Sequence, residues 1–237
     1  MLSANNIVAG YVDEIDILQD VSVEVQKEQI TSVIGPNGSG KSTLMRVICG
    51  FLVPKSGRVL WDGTDLTGKP SHGMAALGIC YLPQERTVYP YLTVEQNISL
   101  GAWTFRRDTT RIARERERVY DLFPLMREQQ KSKAGDLSGG MQKILEIARG
   151  MMIKPDILIC DEPTVGLAPI IAKEVYDTIE RLKRDGLTIL LVDQNVREAV
   201  RVADHIYVLE VGQNKVSGTK AEFETNLQDM IKGWLQI

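Results

Sequence analysis

Gly35-Pro36-Asn37-Gly38-Ser39-Gly40-Lys41-Ser42 satisfies the spacing GxxxxGK[ST]. Glycines there let a backbone curl until successive N–H groups converge on an anion, and a helix opening at Lys41 would add its positive end to that field. Lys41 brings a point charge suited to β- and γ-phosphates, Ser42 brings a hydroxyl suited to Mg²⁺, and Thr43 continues the same first helical turn. A plain glycine-rich turn needs none of these fixed positions, so the pattern implies binding of a nucleoside triphosphate. It does not say what the energy is used for.

Two further constellations carry chemistry. The apolar run Ile157-Leu158-Ile159-Cys160 ends in Asp161-Glu162, as expected of a buried strand whose C-terminal end opens onto a phosphate site. Alternation along a strand points the two carboxylates in different directions, which suits Asp161 to a metal and Glu162 to the role of general base toward an attacking water. Leu137-Ser138-Gly139-Gly140 then opens an amphipathic helix through Ile144, Leu145, Ile147, Ala148 and Met151. Ser138 as N-cap, with Gly139 and Gly140 beside it, makes a second anion-seeking helix start.

The elements that must position these groups follow from hydrophobic periodicity. Short apolar segments at Asn6–Ala9, Val21–Val25 and Ile30–Ile34 predict strands, and Lys41–Gly50 a helix behind the glycine loop. Further strands are expected at Arg58–Trp61 and Gly78–Leu82, and helical, charged sequence from about residue 93 to residue 152. Asp156–Cys160 and Leu187–Val192, separated by a helix over Ile170–Arg184, carry a βαβ pattern. Strands near His205–Glu210 and Lys215–Ser217 and a helix from Asn226 complete the expectation. The fold class is α/β: a P-loop NTPase core (residues 1–92 and 153–237) with an antiparallel β subdomain, and an inserted α-helical subdomain (about 93–152).

Composition narrows the partners. A formal net charge of −3 and 25% charged residues exclude a broad basic field, so no nucleic-acid partner is expected. The arginines between Arg106 and Arg118 alternate with Asp108, Glu115 and Glu117, the pattern of a solvated helix face. Cys49, Cys80 and Cys160 lie far apart among apolar neighbours and are expected to be buried thiols, not metal ligands. With no signal-peptide pattern and no membrane-length apolar run, the chain is expected to be cytoplasmic and to reach a membrane only through other subunits.

A phosphate loop, LSGG and a strand ending in Asp-Glu, in that order, resemble the ABC ATPase family over almost the whole chain. The resemblance implies that two ATPase chains pack head to tail, ATP lying between the phosphate loop of one and Ser138-Gly139-Gly140 of the other. It implies that Tyr11 stacks on adenine and that Gln84, in Tyr81-Leu82-Pro83-Gln84, contacts Mg²⁺ and the attacking water. At the position where that family usually carries a histidine on the γ-phosphate, this chain has Gln194. An amide still donates a hydrogen bond but cannot gain charge. His72 and His205 fall elsewhere and are expected to be structural. Ala168 and Met141 also depart from the usual pattern.

Gly166-Leu167-Ala168-Pro169-Ile170-Ile171 and Val192-Asp193-Gln194-Asn195 are most similar to the ATPases of branched-chain amino acid importers. That resemblance implies a pair of ATPase chains, a homodimer or a heterodimer with the heterodimer favoured, two transmembrane permease subunits meeting the segment Gln84–Glu95, and an extracytoplasmic substrate-binding protein. A non-transport ABC ATPase of DNA repair or translation is the alternative. Such proteins carry long coiled coils or tandem nucleotide domains, and this chain has neither.

Overall fold

β1 (Leu2–Ala9) pairs antiparallel with β2 (Leu18–Val25); from Val21 to Val25 β2 alternates buried with more open side chains, as a one-faced sheet requires, while β1 is mostly buried. The computed structural model describes residues 1–223, which divide into two compact units: Met1–His72 with the residues from Leu182 onward, and Gly73–Arg181. The helix expected from Asn226 lies outside the described residues.

In the first unit, β4 (Ser56–Trp61) and β5 (Thr64–Asp65) extend that sheet to the order β2-β1-β4-β5. β1 and β2 begin earlier than periodicity suggests. Asn6 and Asp20 sit at φ 52° and 63°, and Asn6 Nδ2 donates to Asp20 Oδ1 at 2.8 Å. Polar residues at positive φ read as turns, but here they are register shifts inside continuing strands.

β3 (Ile30–Ile34) lies between β8 (Thr188–Asp193) and β9 (His205–Glu210), parallel to both, with β10 (Gln213–Thr219) antiparallel on β9. Every residue of β3 and β8 is buried. Their Ile, Val, Leu and Thr content suits strands covered on both faces. α1 (Lys41–Ile48) follows β3, and α7 (Val196–Val202), which the sequence pattern did not signal, packs near β3 and β8.

In the second unit, β6 (Ile79–Leu82) pairs parallel with β7 (Ile157–Asp161). Between them run α2 (Val94–Leu100), α3 (Thr109–Leu122), α4 (Pro124–Glu128) and α5 (Gly139–Met151), while α6 (Pro169–Arg184) follows β7. Asn97, fully buried on α2, accepts from Tyr89 N–H at 2.9 Å and donates to the carbonyls of Tyr89, Leu92 and Thr93. One side chain thus satisfies a turn that has no ladder of its own. The arginines of α3 are largely engaged in ion pairs: Arg114 and Arg118 with Glu115, Arg116 with Glu95 of α2. Among the described residues no helix is long and apolar enough to cross a membrane.

Cys49 and Cys160 are buried, as expected, but Cys80 on β6 is only half-buried as a residue. Its sulfur occupies the space beside Gly150 where a Cβ would come within 2.6 Å. Burial of that sulfur pushes the thiol up to about 12, so it remains protonated and unreactive at neutral pH.

Candidate functional site

The phosphate loop leaves β3 at its C-terminal end, where Ile34 pairs with Asp193 of β8 and Val208 of β9. Gly35 passes so close to the next strand that a Cβ there would sit 2.1 Å from the carbonyl oxygen of Leu209. Gly40 enters the helix at φ 102°, a conformation costly for any residue with a side chain.

That choice of residue leaves α1 without a side-chain cap. α2, α3, α5 and α7 are each closed by one, from Thr93, Asp108, Ser138 and Asn195 respectively. The first N–H groups of α1 are therefore not closed off by a capping side chain. Ser39 is buried, and its Oγ has no hydrogen-bond partner. Lys41 is 4% exposed, with Nζ donating to the carbonyls of Gly35 at 2.9 Å and Pro36 at 3.0 Å.

A buried ammonium curled inside its own loop, an unsatisfied hydroxyl and an uncapped helix start are what a phosphate chain would complete. Pro36, Asn37, Gly38 and Ser42 are exposed, while Thr43 is buried beneath them. Gln194 follows directly on β8 and is exposed; Asp193 before it is buried and accepts from Asn195 N–H at 2.8 Å. Tyr11, between β1 and β2, is 53% exposed, and the Arg46 guanidinium of α1 lies 5.7 Å from its ring centroid.

The second unit holds the carboxylates. Asp161 is the last residue of β7, and Tyr81 of β6 donates its hydroxyl to Asp161 Oδ2 at 3.2 Å. Glu162 is not in the strand, as alternation along it supposed: it is the first residue past β7, at φ 44°, and 7% exposed. The turn, more than strand alternation, separates the two carboxylates. A glutamate held in the left-handed region costs about 1–3 kcal/mol, which the surrounding packing must offset. Gln84 Nε2 donates to Glu162 Oε2 at 3.1 Å, so these two expected residues meet. Ser138 is the N-cap of α5, its exposed hydroxyl accepting from Met141 N–H at 3.3 Å and retaining a proton to donate outward. Gly139 is half-buried and Gly140 buried.

Sequence patterns gave no warning of Tyr81, nor of Lys143, Glu146 and Arg149, which bind the backbone around Gln84 from α5. One signal existed: Lys143 and Glu146 interrupt the buried face of an otherwise apolar helix at a spacing of three.

A glycine cradle on the central strand of a parallel array, ahead of an uncapped helix with a lysine folded into it, defines the class of P-loop nucleotide-binding proteins. Residues 18–165 match the family described as ABC transporter. The high-affinity branched-chain amino acid transport ATP-binding protein BraG of Pseudomonas aeruginosa is 41% identical over 92% of this chain and 93% of its own length. A probable branched-chain amino acid transport ATP-binding protein, LivF of Archaeoglobus fulgidus, is 42% identical over 94% and 93% respectively. The solved ADP conformation of an ATP-binding cassette of an ABC transporter superposes with a TM-score of 0.87 at 32% identity, covering 97% of this chain and 95% of that one. This chain belongs to the ABC transporter family, and its activity is ATP hydrolysis.

Proposed function

We propose that the chain is the motor of an importer for branched-chain or related amino acids, working as one of two paired ATPase subunits, the other an unlike chain. What supports the substrate class is the 41–42% identity to two ATP-binding proteins named for branched-chain amino acid transport. The motor role rests on one observation above the others: the phosphate loop and the LSGG helix start are both present, each built as an anion site. A single chain with two such starts suits a sandwich in which it lends Ser138, Gly139 and Gly140 to nucleotide on its partner's loop and receives the partner's corresponding helix start over its own.

In this assignment Gly35 and Asn37 to Gly40 present backbone N–H groups to the phosphates, Pro36 shapes the turn between them, and Lys41 exchanges its loop carbonyls for β- and γ-phosphate oxygens. Thr43 supports the first helical turn, and Tyr11 offers its exposed ring to adenine. Glu162 takes the proton of the attacking water, and Gln84 orients Glu162 and that water. Ser42, Gln84 and Asp161 are the oxygen ligands assigned to Mg²⁺. Bound there, the metal supplies charge that neutralises the β- and γ-phosphates. The donor chemistry fits: the Ser42 hydroxyl, the Gln84 amide carbonyl and the Asp161 carboxylate are all hard oxygens, the kind Mg²⁺ prefers.

Gln194 donates to the γ-phosphate from the end of β8. Replacing it by His should raise turnover about threefold, because imidazole adds a group that can carry charge in the transition state. Phosphate release by Gln194→His checks this, and an unchanged or lower rate counts against the assignment.

Two transmembrane permease subunits receive the motion, around Gln84–Glu95 and the helical stretch 93–152, and an extracytoplasmic binding protein delivers the amino acid. Tyr89 and Tyr91 are exposed there, as an apolar docking loop would be. The chain should copurify from membranes with both permeases, and ATP turnover of that assembly should rise when binding protein loaded with leucine, isoleucine or valine is added. A preparation holding both permeases that ignores all three amino acids would overturn the substrate assignment.

A further inference from the structure

Between the end of β6 at Leu82 and the turn at Tyr89 the backbone has no ladder or helix of its own. Three of its backbone groups, the Pro83 carbonyl and the Thr87 N–H and carbonyl, are taken up by side chains of α5, 59 to 62 residues further along the chain. Glu146 Oε1 accepts from Thr87 N–H, Arg149 Nη1 donates to the Thr87 carbonyl at 2.7 Å, and Arg149 Nη2 donates to Thr87 Oγ1. Every polar group of Thr87 is therefore held by one helix. At the other end, Lys143 Nζ reaches the Pro83 carbonyl at 3.4 Å while pairing with Glu146 Oε2 at 2.7 Å. Arg86 Nη1 meets Gln142 Oε1 at 3.5 Å between them.

The side chains of Lys143 and Glu146 are 6% and 0% exposed. A buried ion pair is a poor source of stability, since apolar side chains of similar volume commonly do as well. What it supplies is placement: charged groups at fixed points, each with a partner in the same short segment. Residues 143, 146 and 149 lie on one side of α5, and together they bracket Gln84, which donates to Glu162.

We infer that Lys143, Glu146 and Arg149 are positioning residues that clamp Pro83–Thr87 to α5, so that the helix opened by Ser138 sets where Gln84 holds Glu162. The inference rests on the roles given above to Gln84 and Glu162. Its consequence is a link within one chain: whatever engages the N-terminus of α5 shifts the segment that orients the base. Small displacements of an orienting group are costly to catalysis, up to about 10²-fold for 1 Å.

The test compares Lys143→Met/Glu146→Gln with Lys143→Met/Glu146→Leu. Both pairs remove the buried charges, but only Gln keeps an acceptor for Thr87 N–H. In the nucleotide-free chain, amide exchange at Thr87 should run about tenfold or more faster in the Leu pair than in the Gln pair, with exchange in α5 itself equal in the two. Turnover by the Leu pair should fall about tenfold below the Gln pair, with KM for ATP within about twofold. Adding Gln84→Ala to the Leu pair should then cost less than about twofold more, because the orientation is already lost.

Equal exchange at Thr87 in the two pairs overturns the clamp, and a loss confined to KM, or full additivity with Gln84→Ala, overturns its link to catalysis. Should Gln84→Ala alone leave turnover intact, the role of Gln84 fails and exchange decides the clamp separately. Where the Leu pair does not fold, Arg149→Met releases the Thr87 carbonyl and hydroxyl instead. It must speed Thr87 exchange in the same way or the clamp is refuted.

Discussion

Lys41→Ala should abolish measurable turnover and weaken ATP binding by at least about tenfold to a hundredfold, the range expected for losing charge-assisted hydrogen bonds worth about 1.5–3 kcal/mol. The structure gives the loss two parts. Nζ donates to the carbonyls of Gly35 and Pro36, so the ammonium braces the loop before any phosphate arrives. When phosphate enters, the same charge is the only lysine or arginine within the eight-residue motif to meet it. Lys41→Met separates these parts from simple volume loss, because it keeps the buried stem and removes the charge. Both variants should stay folded, with Lys41→Met melting closer to the wild type than Lys41→Ala, since the Pro36 carbonyl lies in the exposed part of the loop and can turn to water. Nucleotide binding by calorimetry and phosphate release check the outcome; wild-type turnover in either variant would refute the placement of Lys41 on phosphate.

How far these groups could be read from sequence depends on whether the contact that matters is local. The phosphate loop was legible because its chemistry and its geometry occupy the same eight residues: β3, the glycine turn and the start of α1 appear where periodicity put them. The acidic pair was legible by type and by its place at the end of β7, but not in its local geometry. Nothing in Cys160-Asp161-Glu162-Pro163 announces that Glu162 turns to φ 44°. The bond from Gln84 to Glu162 spans 78 residues; resemblance to a family pointed to Gln84 as a contact of Mg²⁺ and the attacking water, not to this bond. The clamp on Thr87 was invisible for the same reason, as spacing rules report neighbours along one helix or strand and not the backbone that a helix side chain will meet. The strand starts at Leu2 and Leu18 were missed because Asn6 and Asp20, typical turn residues, mark bulges instead.

Two features on the described units then converge on one requirement. α1 has no side-chain cap, and α5 has one whose hydroxyl still carries a proton to donate. The first helix start is open to a ligand by construction, and the second is already closed by Ser138 yet exposed. Under the proposed pairing, an anion held strongly by the loop of one chain and grazed by the signature of its partner would bind in two stages, loop first and signature afterwards. That order fits a machine in which nucleotide binds one chain before the pair closes.

Glu162→Gln isolates the last stage. Gln is nearly isosteric with Glu, and its carbonyl oxygen can still accept from Gln84 Nε2, now 3.1 Å from Glu162 Oε2. The turn at φ 44° is equally strained for either residue, so folding should be little altered. What the amide cannot do is take a proton from water. General-base assistance contributes typically about 10²–10⁴-fold, and phosphate release should fall by that factor while ATP affinity stays within a few-fold. If ATP closes the proposed pair and its hydrolysis reopens it, the variant mixed with its partner ATPase subunit should accumulate as a paired, ATP-loaded species at concentrations where the wild-type mixture stays unpaired. Light scattering in the presence of ATP and Mg²⁺ reads the pairing, and a single-turnover assay reads the chemistry. If Glu162→Gln still releases phosphate at the wild-type rate, the proton goes elsewhere and the base must be sought among other groups near Asp161. If it is slow but never pairs, Glu162 keeps its place as base and the head-to-tail arrangement is what falls.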